Sequence, residues 1–160
     1  MSDCVFPGSF DPVTTGHMDI IRRASCIFDH VTVVVMINIR KQGTIPIDKR
    51  VAILRKACRD LSNVEIDFWD GLLAEYMRIH QKTIVIRGAR SSSEFEQECI
   101  SASVNRLLND SFETIFMPAY GKNEAVSSSA VREIAGFGGD ITHLVPKELT
   151  EEIVSLLSKE

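Results

Sequence analysis

The chain has 160 residues, of which 44% are hydrophobic and 25% charged, and its 18 Lys and Arg against 22 Asp and Glu leave a formal net charge of −4. This balance is typical of a globular domain with a core of its own and excludes the disordered and fibrous classes. Weak acidity and dispersed basic residues also argue against a nucleic-acid partner, so we expect any bound anion to be small.

Neither cysteine spacing nor hydropathy indicates a secreted or membrane protein. The four cysteines, at positions 4, 26, 58 and 99, form no C-x-x-C pair, which argues against a zinc knuckle and a disulfide framework. No apolar run approaches the roughly 20 residues of a membrane span, and no basic leader opens the chain. We therefore expect a cytoplasmic protein with no membrane partner.

Apolar, β-rich runs alternate with amphipathic runs along the chain. The former predict strands over residues 4–6, 31–37, 64–69, 83–88 and 113–118. The latter predict helices over residues 17–28, 48–61, 71–82 and 91–109, followed by two more over 127–135 and 147–160. The second and fourth strands are nearly continuous in Val and Ile, which is typical of strands covered on both faces.

This order predicts an α/β fold, because each strand is followed by a helix. We expect a Rossmann-like, doubly wound, five-stranded parallel sheet with right-handed crossovers and C-terminal helices, forming a single domain over residues 1–160. In such sheets ligands bind outside the carboxyl ends of the strands. The loops from strand to helix should therefore carry the functional site.

The first of these loops, in the stretch FPGSFDPVTTGH, has the residues of an anion site. Ser9 offers a hydroxyl, Thr14 or Thr15 can cap the helix that follows, and His17 lies in its first turn. Free N–H groups and the positive end of the helix dipole favour an anion there, and a histidine can donate to a phosphate oxygen. The alternative interpretation is a capped helix start with a surface histidine.

Three further loops carry similar groups. The stretch VSSSAVRE begins a helix with three serines, which suit either an anion cradle or ordinary capping. In IRGARSSSEFEQE, Arg87 and Arg90 flank a glycine and can bind phosphate or pair with nearby glutamates. Lys41 follows the second strand. Because all four loops belong to one edge of the sheet, together they favour a phosphate-bearing ligand.

Familiar catalytic motifs are missing from the sequence. It contains neither G-x-x-x-x-G-K-[ST] nor G-x-G-x-x-G, and no G-x-S-x-G elbow surrounds Ser9. The four histidines, at positions 17, 30, 80 and 143, lack the spacing of metal ligands. We expect no metal site of the protein's own, and a divalent ion would arrive with the substrate phosphates.

Two stretches resemble the signatures of the T-x-G-H nucleotidyltransferase superfamily. Residues 14–17, TTGH, resemble T-x-G-H, and residues 127–132, SSSAVR, resemble S-S-S/T-x-x-R/K. Within that superfamily, PGSFDPVTTGH, FDHV, IRGAR, FEQE, VSSSAVREIA and GGDITHLVP are similar, in order, to the bacterial phosphopantetheine adenylyltransferase family. The similarity extends over nearly the whole chain.

The resemblance implies reversible transfer of the adenylyl group of ATP to 4'-phosphopantetheine. The products are dephospho-coenzyme A and pyrophosphate, in the penultimate step of coenzyme A synthesis. It implies direct in-line attack without a covalent enzyme intermediate, Mg²⁺ bound with ATP, a homohexamer, and coenzyme A as a candidate inhibitor.

The resemblance also implies roles for individual residues. His17 would stabilise the transition state, Lys41 and Arg87 would hold the acceptor phosphate, and Leu73 would contact the pantetheine arm. Ser9 would lie between nucleotide and acceptor. The remaining ATP contacts would be Phe10, Gly88, Ala89, Arg90, Glu98, Asn123, Glu124, Ala125, Val126, Ser127, Ser128 and Ser129.

Some positions depart from the family, and other functions remain open. Residues 38–41, NIRK, lack the family's usual proline, and GKNEAV lacks the aromatic residue and serine usual before the serines. One alternative is another T-x-G-H enzyme, such as a cytidylyltransferase or a nicotinamide mononucleotide adenylyltransferase. The other is a nucleotide- or coenzyme A-sensing module without turnover, although His17, Lys41 and Arg87 are all present.

Overall fold

The structure is a computed structural model that describes residues 2–37 and 43–158. Strands and helices alternate in the order β1 Asp3–Gly8, α1 Thr15–Ile27, β2 His30–Met36, α2 Ile47–Ala57, β3 Val64–Trp69, α3 Leu73–Ile79, β4 Ile84–Ala89, α4 Ser92–Leu108 and β5 Glu113–Pro118. Beyond β5 lie a 3₁₀ turn Gly121–Ala125, α5 Ser128–Gly136, a 3₁₀ turn Lys147–Leu149 and α6 Thr150–Leu157. The predicted strands and helices, including the C-terminal helices, are confirmed.

The five strands form one sheet in the order β3-β2-β1-β4-β5. Every neighbouring pair is parallel, so the predicted doubly wound parallel sheet is confirmed. The chain runs outward from β1 to β3 and returns to place β4 on the other side of β1. The order therefore switches between β1 and β4, the point where such sheets leave a crevice for ligands.

Alternate residues of each strand enter the cores on the two faces of the sheet. In β1, Cys4 and Phe6 join a large cluster with buried residues of α1, α2, α5 and α6, whereas Val5 joins a smaller cluster with Tyr76 and Met77 of α3. This follows from the two-residue period of a strand. Because both faces of the sheet are covered, β2 is apolar along most of its length, and its residues from Val31 to Val35 are all buried.

Three predicted helices end or begin several residues short of their predicted bounds. The run over 48–61 forms α2, which ends at Ala57. The run over 71–82 forms only α3, and Gln81, at φ 53, adopts a left-handed conformation beyond its end. The run over 147–160 opens as a 3₁₀ turn in which the Leu149 N–H donates to the Pro146 carbonyl at 2.9 Å, and α6 begins at Thr150. Residues 159 and 160 lie outside the described residues.

The longest helix, α4, buries none of its 17 residues. Apolar side chains on it are exposed, among them Ile100 at 58% and Leu107 at 88%. We call the set Phe95, Ile100, Val104, Leu107 and Leu108 the α4 face. Across residues 2–37 and 43–158, neither α4 nor any other helix has the length and apolar character needed to cross a membrane.

Candidate active site

Two adjoining cavities open at the carboxyl ends of β1 and β4, where the strand order switches. The main cavity has a volume of about 450 Å³ and the second cavity about 390 Å³. Both are lined by the boundary residues Pro7, Gly8, Ser9, Ile37 and Arg87. A ligand in one cavity therefore lies next to a ligand in the other at the end of β1.

The main cavity contains the N-terminus of α1, where Thr14 is the cap and His17 the third helical residue. The Thr14 side chain accepts from the His17 N–H at 3.3 Å, and the Thr14 N–H donates to Nδ1 of His17 at 3.1 Å. Because a backbone N–H can only donate, Nδ1 is an unprotonated acceptor and the neutral ring carries its proton on Nε2. The capping interaction thus leaves Nε2–H as the donor for a ligand.

The surroundings of His17 keep its ring neutral. Burial, followed by the positive charges of Arg90 and Arg87, lowers the pKa of His17 to about 4. The edge of the Phe10 ring packs against it, with centroids 5.0 Å apart. At physiological pH the side chain is therefore a neutral hydrogen-bond donor held in one orientation. The capped helix start of the alternative interpretation is present, but the histidine lines the main cavity and is not the surface residue of that interpretation.

A second helix N-terminus reaches the same cavity. Ser127 caps α5 by accepting from the Ala130 N–H at 3.1 Å, and the Ser128 hydroxyl donates to the Pro12 carbonyl at 2.7 Å. Within the described part of the chain, the backbone N–H groups of Ser128 and Ser129 make no hydrogen bond. They provide free donors at the positive end of a helix dipole, which suits a phosphate.

The end of β4 contributes Arg87, which lies on the boundary of the two cavities. Its Nε and Nη2 donate to the carboxylate of Glu98 at 2.7 and 2.6 Å, and its Nη1 donates to the Pro7 carbonyl at 2.8 Å. The bidentate pair fixes the plane of the guanidinium. The proposed pairing of this arginine with a glutamate is therefore present in the structure.

Arg90 follows three residues after Arg87 and lies beside the end of the 3₁₀ turn Gly121–Ala125. It donates to Glu94 at 2.5 and 3.1 Å and to the Val126 carbonyl at 2.9 Å. Burial acts to raise the pKa of Glu94, but hydrogen bonds from Arg90 and the charges of both arginines outweigh it and hold that pKa below its usual value. Glu94 is therefore ionised, and it offsets part of the positive charge of the cavity.

The structure brings most of the predicted site residues together. The main cavity is lined by Ser9, Phe10, His17, Arg87, Gly88, Ala89, Arg90, Asn123, Val126, Ser127, Ser128 and Ser129. Leu73 and Glu98 line the second cavity instead. Glu124 and Ala125 are exposed in the 3₁₀ turn and line neither cavity. Lys41 and the departure at 38–41 lie outside the described residues. The roles of all these residues stay predictions.

Two further residues, Arg50 and Asp11, line the main cavity although each is only 6% exposed, and neither is recognisable as a site residue from the sequence. In the sequence, Asp11 followed by Pro12 is typical of an ordinary bend. Arg50 lies in an amphipathic helix with a second arginine, Arg55, and no local pattern separates the two. A buried arginine can be recognised only when its carbonyl acceptors on other loops are known.

The similarity of the chain to known proteins identifies the class of protein to which this site belongs. A sequence model described as cytidylyltransferase-like matches residues 5–134. In fold, the chain is similar to a putative nicotinate-nucleotide adenylyltransferase from Vibrio parahaemolyticus, with a TM-score of 0.68 at 17% identity over 96% of this chain and 99% of that one. The chain thus belongs to the cytidylyltransferase-like family of nucleotidyltransferases.

Curated relatives narrow the family further. The chain is 46% identical to the phosphopantetheine adenylyltransferase of Finegoldia magna, over 93% of this chain and 92% of that protein. It is 42% identical to that of Clostridium beijerinckii, over 99% of both chains. The protein belongs to the phosphopantetheine adenylyltransferase family, which confirms the resemblance seen in the motifs.

Proposed function

We propose that this protein transfers the adenylyl group of ATP to 4'-phosphopantetheine, forming dephospho-coenzyme A and pyrophosphate reversibly in coenzyme A biosynthesis. Relatives that carry the name of this enzyme are 40–46% identical over nearly the whole chain. The observation that supports the reaction most directly is the meeting of two cavities at Ser9 and Arg87. One cavity suits a nucleotide and the other an acceptor with a long arm.

In the proposed reaction, an oxygen of the acceptor phosphate attacks the α-phosphorus of ATP in line with the leaving group. One P–O bond forms, the bond to the β-phosphate oxygen breaks, and pyrophosphate departs, so no covalent enzyme intermediate is needed. Catalysis would consist of positioning and of stabilising charge on the equatorial oxygens. His17, neutral and with Nε2–H free, would donate to one of these oxygens.

The other groups would bind the phosphates of ATP and the phosphate of the acceptor. The N–H groups of Ser128 and Ser129 and the Arg90 guanidinium would bind ATP phosphates, and the 3₁₀ turn before α5 would close over the base. Arg87 would hold the acceptor phosphate at the boundary, with Lys41 as its proposed partner. Leu73 in the second cavity would contact the arm.

Mg²⁺ is proposed to enter bound to ATP. Among the residues that the structure describes, no group of three or more His, Cys, Asp or Glu side chains is placed to hold a metal. The main cavity presents arginines and helix N-termini, which suit phosphate oxygens rather than a cation. Mg²⁺ would neutralise charge on the phosphates when bound, and no residue of the chain is assigned to it.

Two further properties are proposed on the same basis. Coenzyme A contains the pantetheine arm and the adenylate of the product, so it should compete for both cavities. A homohexamer in the cytoplasm is proposed from the family resemblance, and the α4 face supplies exposed apolar surface for a second copy of this chain.

The test is pyrophosphate release from the purified protein with ATP, Mg²⁺ and 4'-phosphopantetheine. Controls replace ATP with CTP or the acceptor with nicotinamide mononucleotide. We expect release only from the first mixture, and a His17→Ala variant should bind both substrates but turn over more slowly by several orders of magnitude, because its donor acts mainly in the transition state. Release with CTP or nicotinamide mononucleotide would identify a different transferase, and silence with saturable ATP binding would identify a sensor.

A further inference from the structure

The first loop, residues 7–11, is held through its backbone carbonyls by arginines from three different elements. Alternate carbonyls along the loop accept these bonds, so each guanidinium fixes a different peptide group. The pairs are Arg87 with Pro7 at 2.8 Å, Arg50 with Ser9 at 3.2 Å, and Arg132 with Asp11. Arg87 and Arg132 belong to recognised motifs, whereas Arg50 belongs to none.

Phe10 lies in the middle of this loop in an unusual conformation. Its φ is 45°, and its side chain is only 1% exposed. An aromatic residue seldom adopts the left-handed region and keeps it only where surrounding contacts impose it. The carbonyls of its two neighbours are held by arginines, because Ser9 accepts from Arg50 and Asp11 accepts from Arg132.

Arg50 and Asp11 form one buried unit that bridges two loops. The Asp11 carboxylate accepts from the N–H groups of Thr44 and Ile45 at 2.9 and 2.8 Å. Arg50 Nε donates to the Ile45 carbonyl at 2.6 Å and lies 3.6 Å from Asp11 Oδ1. Removing Asp11 would leave the buried Arg50 without a charged partner, whereas Arg132 Nη1 would still lie 3.9 Å from Asp11 Oδ2 if Arg50 were removed. The unit therefore ties the first loop to the segment before α2.

The orientation of one peptide connects this unit to the site. The carbonyl of Ser9 points to Arg50, and the N–H of Phe10 in the same planar peptide must point the opposite way. Among the described residues the N–H groups of Ser9 and Phe10 have no hydrogen-bond partner. Arg50 thus controls the direction of a donor at the boundary of the two cavities.

We infer that Arg50, together with Asp11, is a positioning residue for adenylyl transfer: it holds the Phe10 turn so that the loop presents its donors to the phosphates at the boundary. It acts through the Ser9 carbonyl, to which it donates at 3.2 Å. The inference rests on the proposed function in using turnover as its readout.

The test is chemical rescue of Arg50→Ala by millimolar guanidinium ion, with urea and sodium chloride as controls. Arg55→Ala, on the exposed side of the same helix, is the matched variant. We expect Arg50→Ala to lower kcat about 100-fold, since small misplacements in a site have effects of this order. Guanidinium should restore much of that loss, and Arg55→Ala should keep the wild-type kcat without responding to it.

Arg50→Lys separates positioning from stability and covers a failure of the alanine variant to fold. Lysine restores the charge beside Asp11 but cannot donate to the Ser9 and Ile45 carbonyls in the fixed geometry of a guanidinium. We expect its melting temperature to be near wild type and its kcat to stay low. The inference would be overturned if kcat fell only in the variants whose melting temperature also falls. It would also be overturned if guanidinium left the kcat of Arg50→Ala unaltered.

The activity of the wild-type protein shows whether a negative result concerns the role of Arg50 or the proposed function itself. If the wild-type protein releases no pyrophosphate, the proposed reaction is wrong, and ATP affinity by calorimetry becomes the readout. Weakened ATP binding in Arg50→Ala that guanidinium restores would then still support positioning by Arg50. Equal affinities in wild type and variant would contradict it.

Discussion

At the scale of single residues, His17 connects stability to pH as well as completing the α1 cap. Its pKa in the folded protein is about 4, below the roughly 6.5 of an exposed histidine. As pH falls through this window the unfolded chain binds a proton first, so the free energy of unfolding should fall between about pH 6.5 and 4, by at most about 3 kcal/mol from this residue. Above that window its contribution should be constant.

His17→Gln isolates this effect, because glutamine at the third helical position can still accept from the Thr14 N–H but does not titrate. Urea unfolding of both proteins at about pH 7.5 and about pH 4.5 measures it. We expect the variant to lose less stability on acidification. An equal loss in both proteins would show that the histidine is not held neutral.

At the scale of elements, the cap of α1 should matter for function in a way that other caps do not. Thr14 and Ser91 each accept a hydrogen bond from the third residue of a helix, at 3.3 and 3.2 Å. Thr14→Val and Ser91→Ala should each cost about 1 kcal/mol of unfolding free energy. Only Thr14→Val should also lower kcat, by about 10-fold, because its hydroxyl lies 3.1 Å from Nδ1 of His17 and restrains the ring.

Denaturation and steady-state kinetics on the two variants test this comparison. Ser91 lines neither cavity, which makes it the matched control. Similar turnover in both variants would mean that the backbone bond from Thr14 is sufficient to hold His17.

At the scale of the whole molecule, the α4 face should set the oligomeric state. Exposed apolar side chains grouped on one helix are typical of a contact surface. Leu107→Glu places a charge on that surface, since Leu107 is 88% exposed in the single chain. Light scattering should show a homohexamer for the wild type and a smaller species for Leu107→Glu.

Ile27→Glu is the control, because Ile27 is 63% exposed at the end of α1 and does not belong to the α4 face. Its mass should equal that of the wild type. A monomeric wild type would rule out the proposed assembly, and a hexamer unaffected by Leu107→Glu would place the interface elsewhere.

Local pattern was enough to predict the alternating elements, the parallel sheet and the loops that carry the site. The two-residue period of β2 and the apolar stripe of α1 depend only on neighbours in the chain. Helix caps are equally local, so Thr14 and Ser127 were recognisable as helix starts. The motifs around His17 and the serines also identified the family before any distance was known.

Contacts between distant segments required the folded chain. The strand order places β1 beside β4 and so brings Pro7 to Arg87, 80 positions further along the chain. Arg50 and Arg55 have the same chemistry and differ only in what packs around them. Which charge is buried, how the Phe10 turn is held and where two cavities meet depend on long-range packing, which no short stretch of sequence encodes.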